Sequence, residues 1–250
     1  MLTTGKTRNK RSLTLKGGFG AVIRPGGRHH SPCGDALLVH TRSPFFAIAD
    51  SPDRNPWGSR DFLLQVRQML SDATLPAPDA KSPALGADTL VKGLNELIAA
   101  VDYNANTTFT GVFLPPFSEK STAWLFHNGD SLLFHVRRKQ RSAVQLTKTN
   151  HLFVGRCQKV HQMEPFEYFP DSRFLAATDG IWDIFRNLEM GKDEGLPACI
   201  LDLLCEEDVS YVPDTLLKLY DVHENTGDDL GLMVIDPNFA FGRYEVNTVL

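Results

Sequence analysis

Short runs of strand length, each closed off by turn-forming residues, constrain this chain most. GFGAVI (18–23), ALLVH (36–40), FFAIA (45–49), TTFTGVFL (107–114), TAWLFH (122–127), SLLFHV (131–136), FLAAT (174–178) and LGLMVID (230–236) are apolar or alternating over five to eight residues. That length suits a buried or half-buried strand rather than a helix. Several are joined by only a few turn formers, TRSP (41–44), LPPFSEKS (114–121) and NGD (128–130), the last a strong hairpin signal. Connections this short cannot carry the crossover that a parallel pair requires, so mostly antiparallel pairing is expected.

A second periodicity is present. In ADTLVKGLNELIAAVDY (87–103), Leu90, Leu94, Leu97, Ile98 and Val101 recur at spacings of three and four, and Asp88 stands where a helix start favours a carboxylate. SRDFLLQVRQML (59–70) carries another apolar face in Phe62, Leu63, Val66 and Leu70, and LPACILDLLC (196–205) and PDTLLKLYDVH (213–223) give two more. The Pro- and Ala-rich stretch 72–86 joins the first two helices and is no domain boundary, since neither flank could close a core alone. Helices set between runs of antiparallel strands predict an α+β domain of two sheets with helices outside. Residues 1–16, with Lys6, Arg8, Lys10, Arg11 and Lys16, are expected to be a flexible basic arm, and 17–250 one domain.

Composition then narrows function. At 250 residues and 42% hydrophobic the chain can bury a sizeable core. A net charge of −4 gives no global attraction to nucleic acid or an anionic membrane, so neither is expected as a partner. No apolar run approaches the ~20 residues of a membrane span, and the polar start lacks a signal-like core, so a cytoplasmic location is expected. Cys33, Cys157, Cys199 and Cys205 form no CxxC pair, which argues for reduced thiols.

Within FLAATDGIWDIF (174–185) an apolar strand ends on Asp179. A carboxylate at such a junction is costly to desolvate unless a cation or a set of donors meets it. Other acids are placed the same way: Asp50 ends FFAIAD, Asp130 lies in the turn of FHNGDS, Asp228 and Asp229 open the last strand, and Asp35 opens another. Acids converging without compensation would raise one another's pKa. An all-oxygen set without nearby Cys or His suits a hard cation such as Mg²⁺ or Mn²⁺. Taken singly, each aspartate also fits an ordinary cap or turn former.

The order GDALLV, FFAIADS, TTFTGV, HNGDSLLFHV, QLTKTNH, FLAATDGIWDIF, DDLGLMVI resembles the signature of metal-dependent protein phosphatases of the 2C type, the PPM family, from about Gly17 to Asp236. ATDGIWDIF is its most specific piece. The resemblance implies two stacked antiparallel β-sheets flanked by helices, an α-β-β-α sandwich, with two Mn²⁺ or Mg²⁺ ions at one end and a weaker third. It implies that Asp50 bridges the two metals, that the Ser51 carbonyl contacts one, that Asp179 and Asp228 complete the first site, that Asp35 reaches metal through water, and that Asp130 holds the third ion. Two cations about 4 Å apart would acidify a bridging water for in-line attack on the phosphoryl group, with no covalent phosphoenzyme. The implied activity is hydrolysis of phosphoserine and phosphothreonine in a phosphoprotein substrate. Gly180 is expected to allow the turn, and Trp182 to be core.

The sequence departs from that pattern at the site. Gly34 stands before Asp35 where the family carries an acid or amide, and Ser51 replaces a glycine whose backbone angles a serine need not share. His30 stands at the position of the phosphate-binding arginine, leaving Arg28, His30 and Arg54 as candidate phosphate contacts. Asn150 replaces an aspartate, and His151 is expected to be structural. These departures motivate a second expectation, a catalytically impaired relative acting as a binding or regulatory module. His29, His30 and Cys33 lack the second pair of a zinc site, and His127 and His135 are expected on a sheet surface flanking the 128–130 hairpin.

Overall fold

The computed structural model describes residues 1–7, 10–26, 32–72, 83–102, 104–115, 121–188, 195–222 and 227–250. In chain order the elements are β1 (Leu2–Thr7), β2 (Lys10–Leu15), β3 (Phe19–Arg24), β4 (Asp35–His40), β5 (Phe45–Asp50), α1 (Gly58–Asp72), α2 (Pro83–Ala100), β6 (Phe109–Phe113), β7 (Ser121–Asn128), β8 (Leu132–Arg137) and β9 (Ser142–Gln145). There follow β10 (Gln162–Tyr168), β11 (Ser172–Ala177), α3 (Ile181–Asn187), α4 (Ala198–Glu206), α5 (Val212–Val222), β12 (Leu230–Ile235), a 3-10 turn at Phe241–Arg243 and β13 (Asn247–Val249). One sheet runs β1-β2-β3-β12-β11-β8-β9 and the other β10-β7-β6-β5-β4-β13. The paired strands are antiparallel, as the short connections predict.

Strand alternation divides the apolar side chains among three layers. On β11, Phe174 and Ala176 face the space between the sheets, while Leu175 and Ala177 face the layer that holds α3, α4 and α5. On β4, Leu37 and Val39 point between the sheets and Ala36 and Leu38 towards α1 and α2. Both strands are buried along their whole length, which explains why their sequences are continuously apolar rather than alternating. The result is the expected helix-sheet-sheet-helix order, and the strand ends that carry the acids emerge together at one edge. No helix among the described residues is long and apolar enough to cross a membrane.

Four expectations are corrected. Residues 1–16 are not a frayed arm: β1 and β2 form a hairpin added to β3, with Leu13 and Leu15 buried between the sheets. The alternation Leu13-Thr14-Leu15 carried that signal beneath the flanking charges. The NGD turn is real, with Gly129 at φ 101°, but β7 and β8 do not pair: they lie in different sheets, and the turn carries the chain across the sandwich. An Asn-Gly pair reports local backbone angles, not the strand partner. Trp182 is 37% exposed, with its ring edge-on to Phe185 at 5.1 Å, because α3 turns Ile181, Ile184 and Phe185 inward instead. His127 is fully buried, its Nδ1 2.8 Å from the Thr110 hydroxyl, and burial pushes its pKa down to about 4.

Candidate metal centre

Asp35 and Asp50 lie directly opposite one another at the open end of the β4–β5 pair. Asp35 is buried, its Oδ2 accepts from the Thr178 hydroxyl at 2.8 Å, and its Oδ1 has no hydrogen-bond partner. Burial pushes the Asp35 carboxyl well above the ordinary carboxylate range, and the charges of Asp50, Asp229 and Asp179 add to the shift. Asp50 is raised to about 8, first by burial and then by Asp179 and Asp228, with Asp130 contributing further. Asp35, Asp50, Asp130, Asp179 and Asp228 therefore share one electrostatic neighbourhood, drawn from five strand ends in both sheets.

The main chain around these acids is held by hydroxyls that sequence reasoning did not single out. The Asp50 amide donates to Thr108 Oγ1 at 2.9 Å, and the Asp50 carbonyl accepts from the Thr108 amide and the Thr107 hydroxyl, each at 2.8 Å. Thr108 Oγ1 lies 2.7 Å from Ser131 Oγ, which couples the Asp50 strand end to the turn bearing Asp130. Asn150 braces that turn: its Oδ1 accepts from the Gly129 and Leu152 amides, both at 3.0 Å. Burial raises the pKa of the half-buried Asp130. His151 is exposed. Thr178 accepts from the Gly231 amide at 2.8 Å while donating to Asp35, tying β12 to β4.

The departures at Gly34 and Ser51 turn out to be one packing feature. A Cβ on Gly34 would come under 3.0 Å from the Ser51 carbonyl oxygen, closer than real Cβ atoms come, so this backbone admits no side chain at position 34. The Ser51 amide donates to the Gly34 carbonyl at 3.1 Å, and the Ser59 hydroxyl donates to the same oxygen. Ser51 is absent from the described non-glycine residues with positive φ, which are Asn106 and Arg141, so it needs no left-handed backbone. Gly180 also serves close approach rather than a left-handed turn, since its Cβ would collide with the Asp229 carbonyl oxygen.

Arg28, His29 and His30 lie outside the described residues. Arg54 is exposed, four positions beyond Asp50 on the loop leading to α1. Asp228 is exposed, and Asp179 half-buried.

The donor set fits a hard divalent cation in type: it is all carboxylate and carbonyl oxygen, and the buried Asp35 Oδ1 has an unused acceptor. Among the described residues, no group of three or more His, Cys, Asp or Glu side chains is arranged to hold an ion as it stands.

No protein-family model matches the sequence, and no curated protein matches it. Solved structures do. The catalytic domain of the serine/threonine protein phosphatase PstP in complex with two manganese ions superposes with a TM-score of 0.62 at 19% identity, over 87% of this chain and 96% of that one. The PPM Ser-Thr phosphatase MsPP from Mycobacterium smegmatis, in complex with cacodylate, gives 0.60 at 18% identity over 87% and 97%. RsbX in complex with magnesium gives 0.58 at 14% identity over 94% and 98%. This chain has the fold of the PPM-type serine/threonine phosphatases, at 14–19% sequence identity to these three.

Proposed function

We propose that the protein is a metal-dependent phosphatase that hydrolyses phosphoserine and phosphothreonine in proteins. The observation that carries this reading is the gathering of Asp50, Asp179, Asp228, Asp130 and Asp35 at one edge of the sandwich. Neighbours of the same fold hold manganese or magnesium, which supports Mn²⁺ or Mg²⁺ as the cofactor here. Asp50, Asp179 and Asp228 would hold the first ion and Asp50 the second with the Ser51 carbonyl, Asp35 acting through water and Asp130 holding a weaker third. Such ions, when bound, polarise phosphoryl oxygens and supply a water acidic enough to attack phosphorus.

The chain's own part is orientation and charge balance. Thr107 and Thr108 fix the Asp50 main chain, Thr178 holds one oxygen of Asp35 and leaves the other free to accept, and Asn150 fixes the turn that presents Asp130. Arg54 is a candidate to meet the substrate phosphate as a fork-shaped donor.

The test is hydrolysis of an aryl phosphate and a phosphothreonine peptide with Mn²⁺, with EDTA, and by Asp179→Asn. Turnover that needs both Mn²⁺ and Asp179 is expected. A second reading, a phosphatase-like binding module, is favoured by Gly34, whose position admits no acid. Folded protein with no turnover above the Asp179→Asn background would select it.

A further inference from the structure

We propose that Asp229 is a positioning residue that holds the acid-bearing strand ends at their mutual spacing; its bearing on catalysis rests on the metal-dependent reading above. Asp229 is 6% exposed and lies at the start of β12, beside Asp228. Its Oδ1 accepts from the Gly26 amide at 2.6 Å and its Oδ2 from the Gly34 amide at 2.5 Å. One carboxylate thus closes both ends of the connection between β3 and β4. A carboxyl group has two oxygens, and here each accepts from one main-chain amide.

The glycines show how tightly the hub is built. A Cβ on Gly26 would collide with the Gly227 carbonyl, one on Gly34 with the Ser51 carbonyl, and one on Gly180 with the Asp229 carbonyl. Each of these residues adjoins the hub or one of the proposed ligands. Gly34 precedes Asp35, Ser51 follows Asp50, Gly180 follows Asp179, and Asp228 precedes Asp229 itself. Four strand ends from both sheets therefore meet at one residue.

A carboxylate is required for this geometry. An amide of the same shape offers one acceptor oxygen and one donor nitrogen, so Asp229→Asn would set an N–H against a backbone N–H. Asp229→Glu keeps the charge, but its extra methylene cannot place both oxygens on the same two amides.

The experiment combines amide hydrogen exchange with Mn²⁺ titration by calorimetry on the full chain. In metal-free wild-type protein the Gly26 and Gly34 amides should exchange slowly. Exchange at unprotected rates in the folded wild type overturns the proposal without any variant. In Asp229→Asn one of these amides, and the Ser51 amide that donates to Gly34, should exchange at least about 10-fold faster. Mn²⁺ affinity should fall about 10- to 100-fold, as for other residues that orient metal ligands, and Asp229→Glu should not restore it. Unchanged affinity overturns the role in metal binding altogether, and full rescue by Glu overturns positioning and leaves charge as the only effect. If wild-type protein binds no Mn²⁺, the metal-dependent reading fails, while accelerated Ser51 exchange in Asp229→Asn still supports the clamp and unchanged exchange still refutes it.

Discussion

The β4–β5 corner and the β11–β12 corner each present two acids, yet at different depths. Asp35 and Asp50 face one another in the antiparallel register, and Asp35 is 3% exposed. Asp179 and Asp228 stand just beyond the paired residues of β11 and β12, half-buried and exposed respectively. Water can carry much of the charge at the second corner. At the first, Asp35 is withdrawn from water and the half-buried Asp50 faces it, and burial leads the causes that raise both pKa values. The difference assigns roles: the exposed corner can meet an ion from solvent, and the buried corner gains most from having one.

The sharpest way to break this contrast is to remove one charge from each corner. Asp50→Asn and Asp228→Asn should each lower Mn²⁺-dependent phosphatase turnover by about 10²- to 10³-fold, several kcal/mol of lost charge stabilisation. Their effects on metal-free stability should differ. Asp50→Asn replaces an acid whose ionisation beside Asp35 is disfavoured, and should leave the urea midpoint unchanged or higher, whereas Asp228→Asn should stay within about 0.5 kcal/mol of wild type. A large loss of stability in Asp50→Asn would mean that the carboxylate has a partner there and that the corner is not repulsive.

Ligand linkage supplies a smaller effect of the same origin. At Mn²⁺ concentrations near 100 times its dissociation constant, the folded state should gain about 2.7 kcal/mol. EDTA should reverse that gain, and Asp50→Asn should abolish most of it. Equal stabilisation of wild type and variant by Mn²⁺ would place the ion elsewhere.

Packing gives the next test. Gly34→Asp would place an acid directly before Asp35, but its Cβ meets the Ser51 carbonyl at under 3.0 Å. Overpacking of this kind costs about 1–3 kcal/mol, so the variant should be less stable and bind Mn²⁺ no better. Gly180→Ala at the other corner should cost a similar amount against the Asp229 carbonyl. Tighter Mn²⁺ binding by Gly34→Asp would show that the β4–β5 corner can reshape around a side chain.

These glycines also mark where legibility in the sequence ends. The apolar runs reveal most of the strands, because a strand buried on both faces has no room for polar residues, and the periodic segments reveal α1, α2, α4 and α5. The acids at the strand ends are visible as anomalies in apolar surroundings. What sequence cannot display is which distant atom fills the space beside Gly34 or Gly180, or that Asp229, the second acid of an Asp-Asp pair, accepts from amides at positions 26 and 34. Those depend on tertiary approach between segments from 17 to 203 residues apart in the chain. Strands β9, β10 and β13 escaped for a different reason. They are sheet edges with exposed or half-exposed residues, including Val144 at 61% exposure, and so lack a long apolar run.

The smallest predicted effect provides a reference away from both corners. His135 on β8 is half-buried, and burial, followed by the charge of Arg137, lowers its pKa to about 4. The Phe169 amide donates to Ser172 Oγ at 2.8 Å, so the serine hydroxyl is free to donate to His135 Nε2 at 2.7 Å, which requires the neutral ring. A folded pKa below the ordinary 6.5 means that the unfolded chain binds the proton more readily between pH 6.5 and 4. The contribution of His135 to stability is therefore full above pH 6.5 and is lost as pH falls towards 4. Discounted for solvent around a partly covered ring, the loss by pH 5 should be about 1 kcal/mol. His135→Gln, which can still accept from Ser172, should show a smaller fall in urea midpoint between pH 7 and pH 5 than wild type. Equal falls in the two proteins would mean that the ring titrates in the fold as it does in the unfolded chain, and that its partial burial on β8 does not perturb it.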